Sequence, residues 1–132
     1  MAGIAGWLAP GGRVFVHVFS HRDASWEFDH DAPQDWMARW FFTGGILPSD
    51  DLLLHEQRDL AVIGHWVLGG DHYQRTLEAW LDRLDAHRTE ADVLLDPRSV
   101  ARWRVFLLAS AEMFGFRHGT EFGVSHYMFA GD

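Results

Sequence analysis

The sequence contains no cysteine and no lysine, and it has no long apolar run. Without cysteine it cannot form disulfide bonds, thiolate nucleophiles or cysteine–zinc sites, and this composition fits the reducing cytoplasm, where we expect the chain to reside. No stretch approaches the roughly 20 apolar residues of a membrane span. The opening segment, MAGIAGWLAPGG, has neither the basic region nor the apolar core of a secretory signal peptide. We therefore expect no transmembrane segment.

Positive charge is also scarce. Eleven arginines face 19 acidic residues, which gives a net charge of −8. Such a chain repels phosphates over most of its surface, so we expect no nucleic-acid partner.

The familiar catalytic motifs are missing as well. No G-x-G-x-x-G loop follows a predicted strand, because Gly3 and Gly6 lie in a predicted helix and precede a strand. There is no P-loop and no G-x-S-x-G nucleophile turn. No H-E-x-x-H is present, and no two histidines sit four apart on a predicted helix, so we expect no metal site. Taken alone, the chain shows no complete active site.

Aromatic residues and histidines, in contrast, are abundant. The 132 residues include seven Trp, ten Phe and nine His, and 48% of the chain is apolar. Aromatic side chains bury large areas and line pockets, and a chain of this length can bury about two-thirds of its surface. The composition therefore predicts a folded domain rather than a disordered segment.

The order of apolar patterns indicates an α/β fold. Strands are predicted where apolar runs are short and bounded by turn residues, and helices where apolar residues recur every three or four positions. Three largely apolar strands need more sheet, or a partner, to cover them, and the first is predicted to be covered on both faces. The predicted elements are a helix end over 2–9, strands over 13–19, 60–68 and 121–129, a loop over 21–34, and helices over 36–42, 50–57, 73–87 and 99–114.

Two polar residues stand out as candidates for chemistry. His17 is the one polar side chain inside the first strand, where it either points into a ligand crevice or is a hydrogen-bonded structural histidine. Tyr73 opens the long helix, where its hydroxyl either reaches a ligand or merely packs at the helix start.

Two aromatic pairs are candidates for substrate binding. Trp103 and Phe106 share one helix face, and Trp36 and Phe41 lie on a shorter helix. Ring faces attract cationic amines, but the same spacing is also typical of an ordinary helix core.

Several long segments of the sequence also resemble those of a known protein family. The chain, from residue 2 to 129, resembles the C-terminal half of the S-adenosylmethionine-dependent methyltransferases related to cyclopropane-fatty-acid synthase and coclaurine N-methyltransferase, and it is nearer to the coclaurine branch. The segments that carry this resemblance are Asp35-Trp36, FFTGGILPSDDLLL, DLAVIGHWVLGGDHYQRTLEAWLDRLD, WRVFLLASAEMFGF and EFGVSHYMF.

This resemblance implies a fold. Residues 1–132 would form part of a class I, Rossmann-like methyltransferase domain, with about three strands and a helical substrate cap. Residues 13–19 resemble the fifth strand, 60–68 the sixth and 121–129 the seventh, which runs antiparallel between the other two.

The resemblance also implies the chemistry. The cofactor would be S-adenosylmethionine, whose binding loop and ribose-binding acid lie in the half of the family that precedes residue 1. The Glu-His motif that supplies the catalytic base of the N-methyltransferases lies there too. No cofactor-binding residue is therefore expected here, and the chain alone is expected neither to bind the cofactor tightly nor to turn over.

Some functional positions of the family fall inside the chain. His17 and Tyr73 resemble the pair that holds a catalytic bicarbonate in the cyclopropane synthases. Trp103 and Phe106 match the W-R-x-F pair that lines the alkaloid pocket of the coclaurine-type enzymes. The substrate would be a small-molecule amine or a lipid alkene, and the partner a missing N-terminal half.

A non-enzymatic role is the alternative. In that case the chain would be a module derived from such an enzyme that binds a small molecule or a protein, or that dimerises through the edge of its first strand.

Overall fold

The computed structural model describes residues 1–32, 34–42 and 44–131. Pro33, which falls in the predicted loop over 21–34, lies outside the described residues, as do Thr43 and Asp132. The chain divides into two compact units, Met1–Leu68 with Gly123–Asp132, and Gly69–Phe122.

The first unit is built on a three-stranded sheet. Its strands are β1 (Arg13–His21), β4 (Ala61–Gly69) and β5 (Phe122–Ala130), in the order β1-β5-β4. The prediction that the last strand lies between the other two is therefore confirmed. Contacts between neighbouring strands show that β4 and β5 run antiparallel. Trp66 contacts His126, His65 contacts Tyr127, and Gly64 lies beside Met128, so residue numbers fall along β4 as they rise along β5.

One face of this sheet forms the core of the unit. Leu60, Tyr127 and Phe129 are almost fully buried, and a short helix α1 (Ala2–Ala5) packs on them. Alternate residues of β1 also join this core: Val14, Val16 and Val18. The opposite face is more open, since the Phe15 side chain is 52% exposed. The prediction that β1 is covered on both faces is thus wrong, because its apolar run alternates between a packed and an open side.

Two short elements differ from the sequence expectation. The predicted loop over 21–34 contains a two-residue strand, β2 (Trp26–Glu27), which pairs antiparallel with β3 (Ile46–Leu47). The predicted helix over 50–57 is only a 3₁₀ turn, Leu52–His55. Elements of two to four residues are too short for the spacing of apolar residues to predict them.

The remaining helix of the first unit begins as predicted. Helix α2 (Trp36–Trp40) starts after Asp35, whose carboxylate accepts a hydrogen bond from the backbone N–H of Ala38 at 2.9 Å. A side-chain cap of this kind satisfies one of the unpaired donors at a helix start.

The second unit contains three α-helices, α3 (Gly70–Ala86), α4 (Arg88–Leu94) and α5 (Pro97–Gly115), followed by a 3₁₀ turn, Phe116–Gly119. Helices α3 and α5 were predicted. Helix α4 was not, because it turns no apolar face inward: Val93 and Leu94 are 83% and 81% exposed. Among the described residues, no helix is long and apolar enough to cross a bilayer.

Candidate functional site

His17 lies in the middle of β1 on the open face of the sheet and is exposed. Its Nδ1 is 2.7 Å from Nε2 of His126 on β5, so the two imidazoles share a hydrogen bond. The rings lie with their centroids 4.8 Å apart. The structure therefore gives the sequence-predicted histidine a second histidine as its direct partner.

His126 itself is buried, with 8% of its surface exposed. The rings of Phe15 and Trp66 flank it, with centroids 5.1 and 5.5 Å from the imidazole. Burial lowers the pKa of His126 below its ordinary value of 6.5, and the charge of His17 lowers that pKa further. The pair thus combines an exposed imidazole with a buried one that resists protonation.

A second polar cluster lies around Asp50 in the same unit. Asp50 Oδ1 accepts hydrogen bonds from the hydroxyl of Ser125 at 2.6 Å and from His65 Nε2 at 2.8 Å. Since Ser125 has only one hydroxyl proton, Ser20, whose Oγ is 2.5 Å away, donates to it. The Tyr127 hydroxyl donates to the backbone carbonyl of Asp50 at 2.5 Å.

This cluster ties the segment that follows β3 to all three strands of the sheet. Ser20 belongs to β1, His65 to β4, and Ser125 to β5, and each is linked to Asp50 directly or through one hydroxyl. Sequence reasoning missed it, because Asp50 and Ser125 are 75 residues apart. The sequence feature that could have indicated the cluster is Asp50 itself, an acidic residue directly after Pro48-Ser49. The sequence pattern instead predicts that a helix starts there.

In the second unit, Tyr73 lies in the first turns of α3 rather than at its start. Its ring meets that of Phe114 edge-on at 4.6 Å, and that of Trp80 at 6.2 Å. Burial raises the pKa of the Tyr73 hydroxyl, so this group stays protonated and can donate a hydrogen bond.

Trp103 and Phe106 contact each other edge-on on α5, with ring centroids 5.6 Å apart. Trp103 also borders a cavity of about 480 Å³ between the helices of this unit. That volume lies within the range of small-molecule sites, and the cavity is largely open to solvent. The residues that line the cavity are Trp80, Arg83, Leu84, His87, Leu95, Trp103 and Leu107.

The second predicted aromatic pair is also in contact. Trp36 and Phe41 meet edge-on at 6.0 Å in the first unit. Both side chains are partly buried. The structure thus places His17, Trp36 and Phe41 in the first unit, and Tyr73, Trp103 and Phe106 in the second.

The turn Gly69-Gly70, between β4 and α3, has the strand-to-helix position of a cofactor loop. A Cβ on Gly70, however, would lie 2.3 Å from the backbone carbonyl oxygens of both Phe114 and Phe122. The space beside this glycine is therefore filled by the chain's own backbone, and no ligand atom can occupy it. Nor do three His, Asp or Glu side chains converge into a metal site anywhere in the described ranges.

Comparison with known proteins places this fold in a family. The family model for mycolic acid cyclopropane synthetase matches residues 2–121. The chain belongs to this family. The resemblance noted in the sequence is therefore confirmed, and S-adenosylmethionine-dependent methyl transfer is the chemistry of the family.

Several members of the family are plant N-methyltransferases. The chain is 34% identical to (S)-coclaurine N-methyltransferase of Thalictrum flavum subsp. glaucum over 93% of its length, and 30% identical to that of Papaver somniferum over 96%. It spans only 37% and 39% of those two proteins. The chain thus corresponds to about two fifths of the length of the curated relatives it matches.

Solved structures agree with this assignment. A crystal structure of coclaurine N-methyltransferase bound to N-methylheliamine and SAH has a TM-score of 0.84 and 32% identity, covering 96% of this chain and 41% of that one. The cyclopropane synthase MmaA2 of Mycobacterium tuberculosis has a TM-score of 0.76 at 21% identity, covering 98% of this chain and 47% of that one. The second similarity supports the fold alone, which is that of a partial class I methyltransferase.

Proposed function

We propose that this chain supplies the substrate-binding part of an S-adenosylmethionine-dependent N-methyltransferase. The observation that carries the proposal is the 34% identity to a coclaurine N-methyltransferase across 93% of the chain. An amine substrate is favoured over a lipid alkene, because the cyclopropane synthases resemble the chain at only 21–22% identity. The cofactor site of the complete enzyme would lie mostly outside this chain.

The cavity bordered by Trp80 and Trp103 is the proposed site for the body of the amine. Two indole rings offer apolar area and ring faces to an aromatic substrate. Arg83 also borders the cavity. A positive charge there disfavours the protonated form of a bound amine, which leaves the nitrogen lone pair free to act as a nucleophile.

His17 and Tyr73 are proposed to act on protons. S-adenosylmethionine, when bound to the complete enzyme, supplies an electrophilic methyl group. A secondary amine that has gained a methyl group must lose its N–H proton, and the resemblance implies that the Glu-His motif outside this chain supplies the base; the imidazole of His17 is a side chain of the type that takes part in proton transfer. The Tyr73 hydroxyl, which stays protonated, is suited to donating a hydrogen bond.

Calorimetry on the 132-residue chain tests the proposal. We expect coclaurine to bind, and Trp103→Ala to weaken its binding about 10-fold or more, as the loss of a buried aromatic contact does. Trp7→Ala is the matched control, because Trp7 is 83% exposed and remote in sequence. Absence of coclaurine binding, or equal weakening by both variants, would contradict the proposed substrate site.

The same instrument tests the cofactor expectation. S-adenosylmethionine titrated into the chain should give no tight binding and no methylated product. A dissociation constant near 1 µM would show that the chain holds a cofactor site of its own.

A second candidate function is a non-enzymatic binding or dimerisation module. The observation that favours it is apolar exposure on the two outer strands of the sheet. Strands β1 and β4 are those outer strands, and Phe15, Ile63 and Val67 are each about half exposed there. Such surfaces are typical of sites that meet another chain.

A further inference from the structure

An ion pair joins the two long helices of the second unit. Asp85, near the end of α3, accepts two hydrogen bonds from Arg104 of α5: Nε donates to Oδ1 at 2.5 Å, and Nη2 donates to Oδ2 at 2.7 Å. The hydrogen bond from Arg104 holds the pKa of Asp85 below its ordinary value, so the carboxylate stays ionised at neutral pH. Because two parallel bonds connect two planar groups, the pair fixes their orientation as well as their distance.

The cavity bordered by Trp80 and Trp103 lies beside this pair. Leu84 and Trp103, which directly precede Asp85 and Arg104 in the sequence, both line the cavity. Consecutive residues of a helix point about 100° apart, so the ion pair lies next to the cavity wall on each helix. A change in how α3 lies against α5 would therefore move one wall relative to the other.

Apolar contacts alone fix this arrangement less tightly. Helices α3 and α5 bury Leu77, Leu107 and Phe114, and hydrophobic attraction of this kind is not directional. The cavity is largely open to solvent, and the Trp80 and Trp103 side chains are 46% and 42% exposed. The two-bond contact between Asp85 and Arg104 adds a directional restraint at the edge of this open cavity.

We infer that Asp85 and Arg104 are positioning residues that set how α3 lies against α5, and thereby the shape of the substrate cavity. The role of the cavity rests on the proposed function, but the effect of the pair on the two helices does not. Both side chains are partly exposed, and exposed ion pairs add little to the stability of a fold. Loss of the pair should therefore change the cavity more than it changes unfolding.

Distance measurements between two spin labels test the effect on the helices without any ligand. The chain has no cysteine, so Ala79→Cys on α3 and Glu112→Cys on α5, both at exposed positions, carry the only labels. We expect one narrow distance distribution in this background. Asp85→Asn and Arg104→Met should broaden or shift it, because each removes the charged two-bond contact.

Two further variants serve as controls for the distance measurement. Asp85→Glu keeps the carboxylate and should retain the narrow distribution. Asp82→Asn is the same substitution as Asp85→Asn at an exposed position one turn earlier on α3, and it should also leave the distribution unchanged.

Calorimetry with coclaurine separates positioning from stability. Asp85→Asn and Arg104→Met should weaken coclaurine binding about 5-fold or more, as expected when a contact is coupled to a binding site. Their urea midpoints should stay close to that of the wild type. Asp85→Glu and Asp82→Asn should bind coclaurine as the wild type does.

A distance distribution that stays unchanged in both Asp85→Asn and Arg104→Met would overturn the inference. Wild-type affinity for coclaurine in variants with an altered distribution would overturn it too, as would an equal loss of affinity in Asp82→Asn. If coclaurine did not bind the wild type at all, the proposed function would fall, whereas an altered distribution would still support the role of the pair between the helices. The two failures are therefore distinguishable.

Discussion

At the scale of single residues, His126 couples stability to pH. Its pKa in the folded chain is lowered below 6.5 by burial and by His17, whereas in the unfolded chain it returns to that ordinary value. Between the two values the unfolded state binds more protons, so the free energy of unfolding falls as the pH decreases. Stability from this group is fully present above pH 6.5 and is lost progressively below it.

Urea unfolding measured between pH 8 and pH 5 checks this expectation. His126→Gln should flatten the decline below pH 6.5, because glutamine does not titrate. His72→Gln, at an exposed position on α3, is the control and should keep the wild-type slope. A wild-type chain that becomes more stable on acidification through this range would contradict the assigned direction.

The same residues show what a sequence can reveal about a site. His17 was identifiable because it interrupts an apolar strand. His126 was not, since it follows a serine in a strand of mixed character and its partner is 109 residues away. The Asp50 cluster was hidden for the same reason. Residues that acquire a role through distant contacts carry no local pattern.

At the scale of elements, Gly70 sets how closely α3 approaches its neighbours. Its Cα lies against the carbonyl oxygens of Phe114 and Phe122, and an added Cβ would come within 2.3 Å of both. These are backbone atoms, which cannot swing aside. We expect Gly70→Ala to lower the free energy of unfolding by about 1–3 kcal/mol or more, as overpacking does.

Thermal unfolding followed by circular dichroism measures the loss of stability in Gly70→Ala. Gly3→Ala is the matched control, because nothing lies within 4 Å of a Cβ at that helical position. That variant should be neutral or stabilising, by up to about 1 kcal/mol. If Gly70→Ala melted at or above the wild-type temperature, the close approach would not be a requirement of the fold.

Long elements were predictable and short ones were not, and burial explains the difference. Helices α3 and α5 contact each other and bury Leu77, Leu107 and Phe114, so their apolar residues recur at helical spacing. Helix α4 has no such face. Helix α5 is also capped by Asp96, whose carboxylate accepts hydrogen bonds from the backbone N–H groups of Arg98 and Ser99.

At the scale of the whole molecule, the family was recognisable because long stretches of the sequence match it, whereas the division into two units was not. Strand β4 runs directly into α3 through Gly69-Gly70, and no linker of polar or flexible residues separates the units. The single partial domain expected for residues 1–132 remains a prediction. Composition alone could not reveal the division, since both units are rich in aromatic residues.

The two candidate functions differ in the expected state of association of the chain. An outer strand β1 with an exposed Phe15 favours pairing with a second copy, whereas a net charge of −8 opposes it. Because charge repulsion is screened by salt and apolar burial is not, we expect light scattering in 0.5 M NaCl to give a mass above the 15.1 kDa of one chain.

Phe15→Glu should restore the monomer, whereas Val93→Glu, the same charge change at an exposed site on α4, should not. A wild-type monomer at every salt concentration would remove the support for the dimerisation module and leave the substrate-binding role as the better account of the chain.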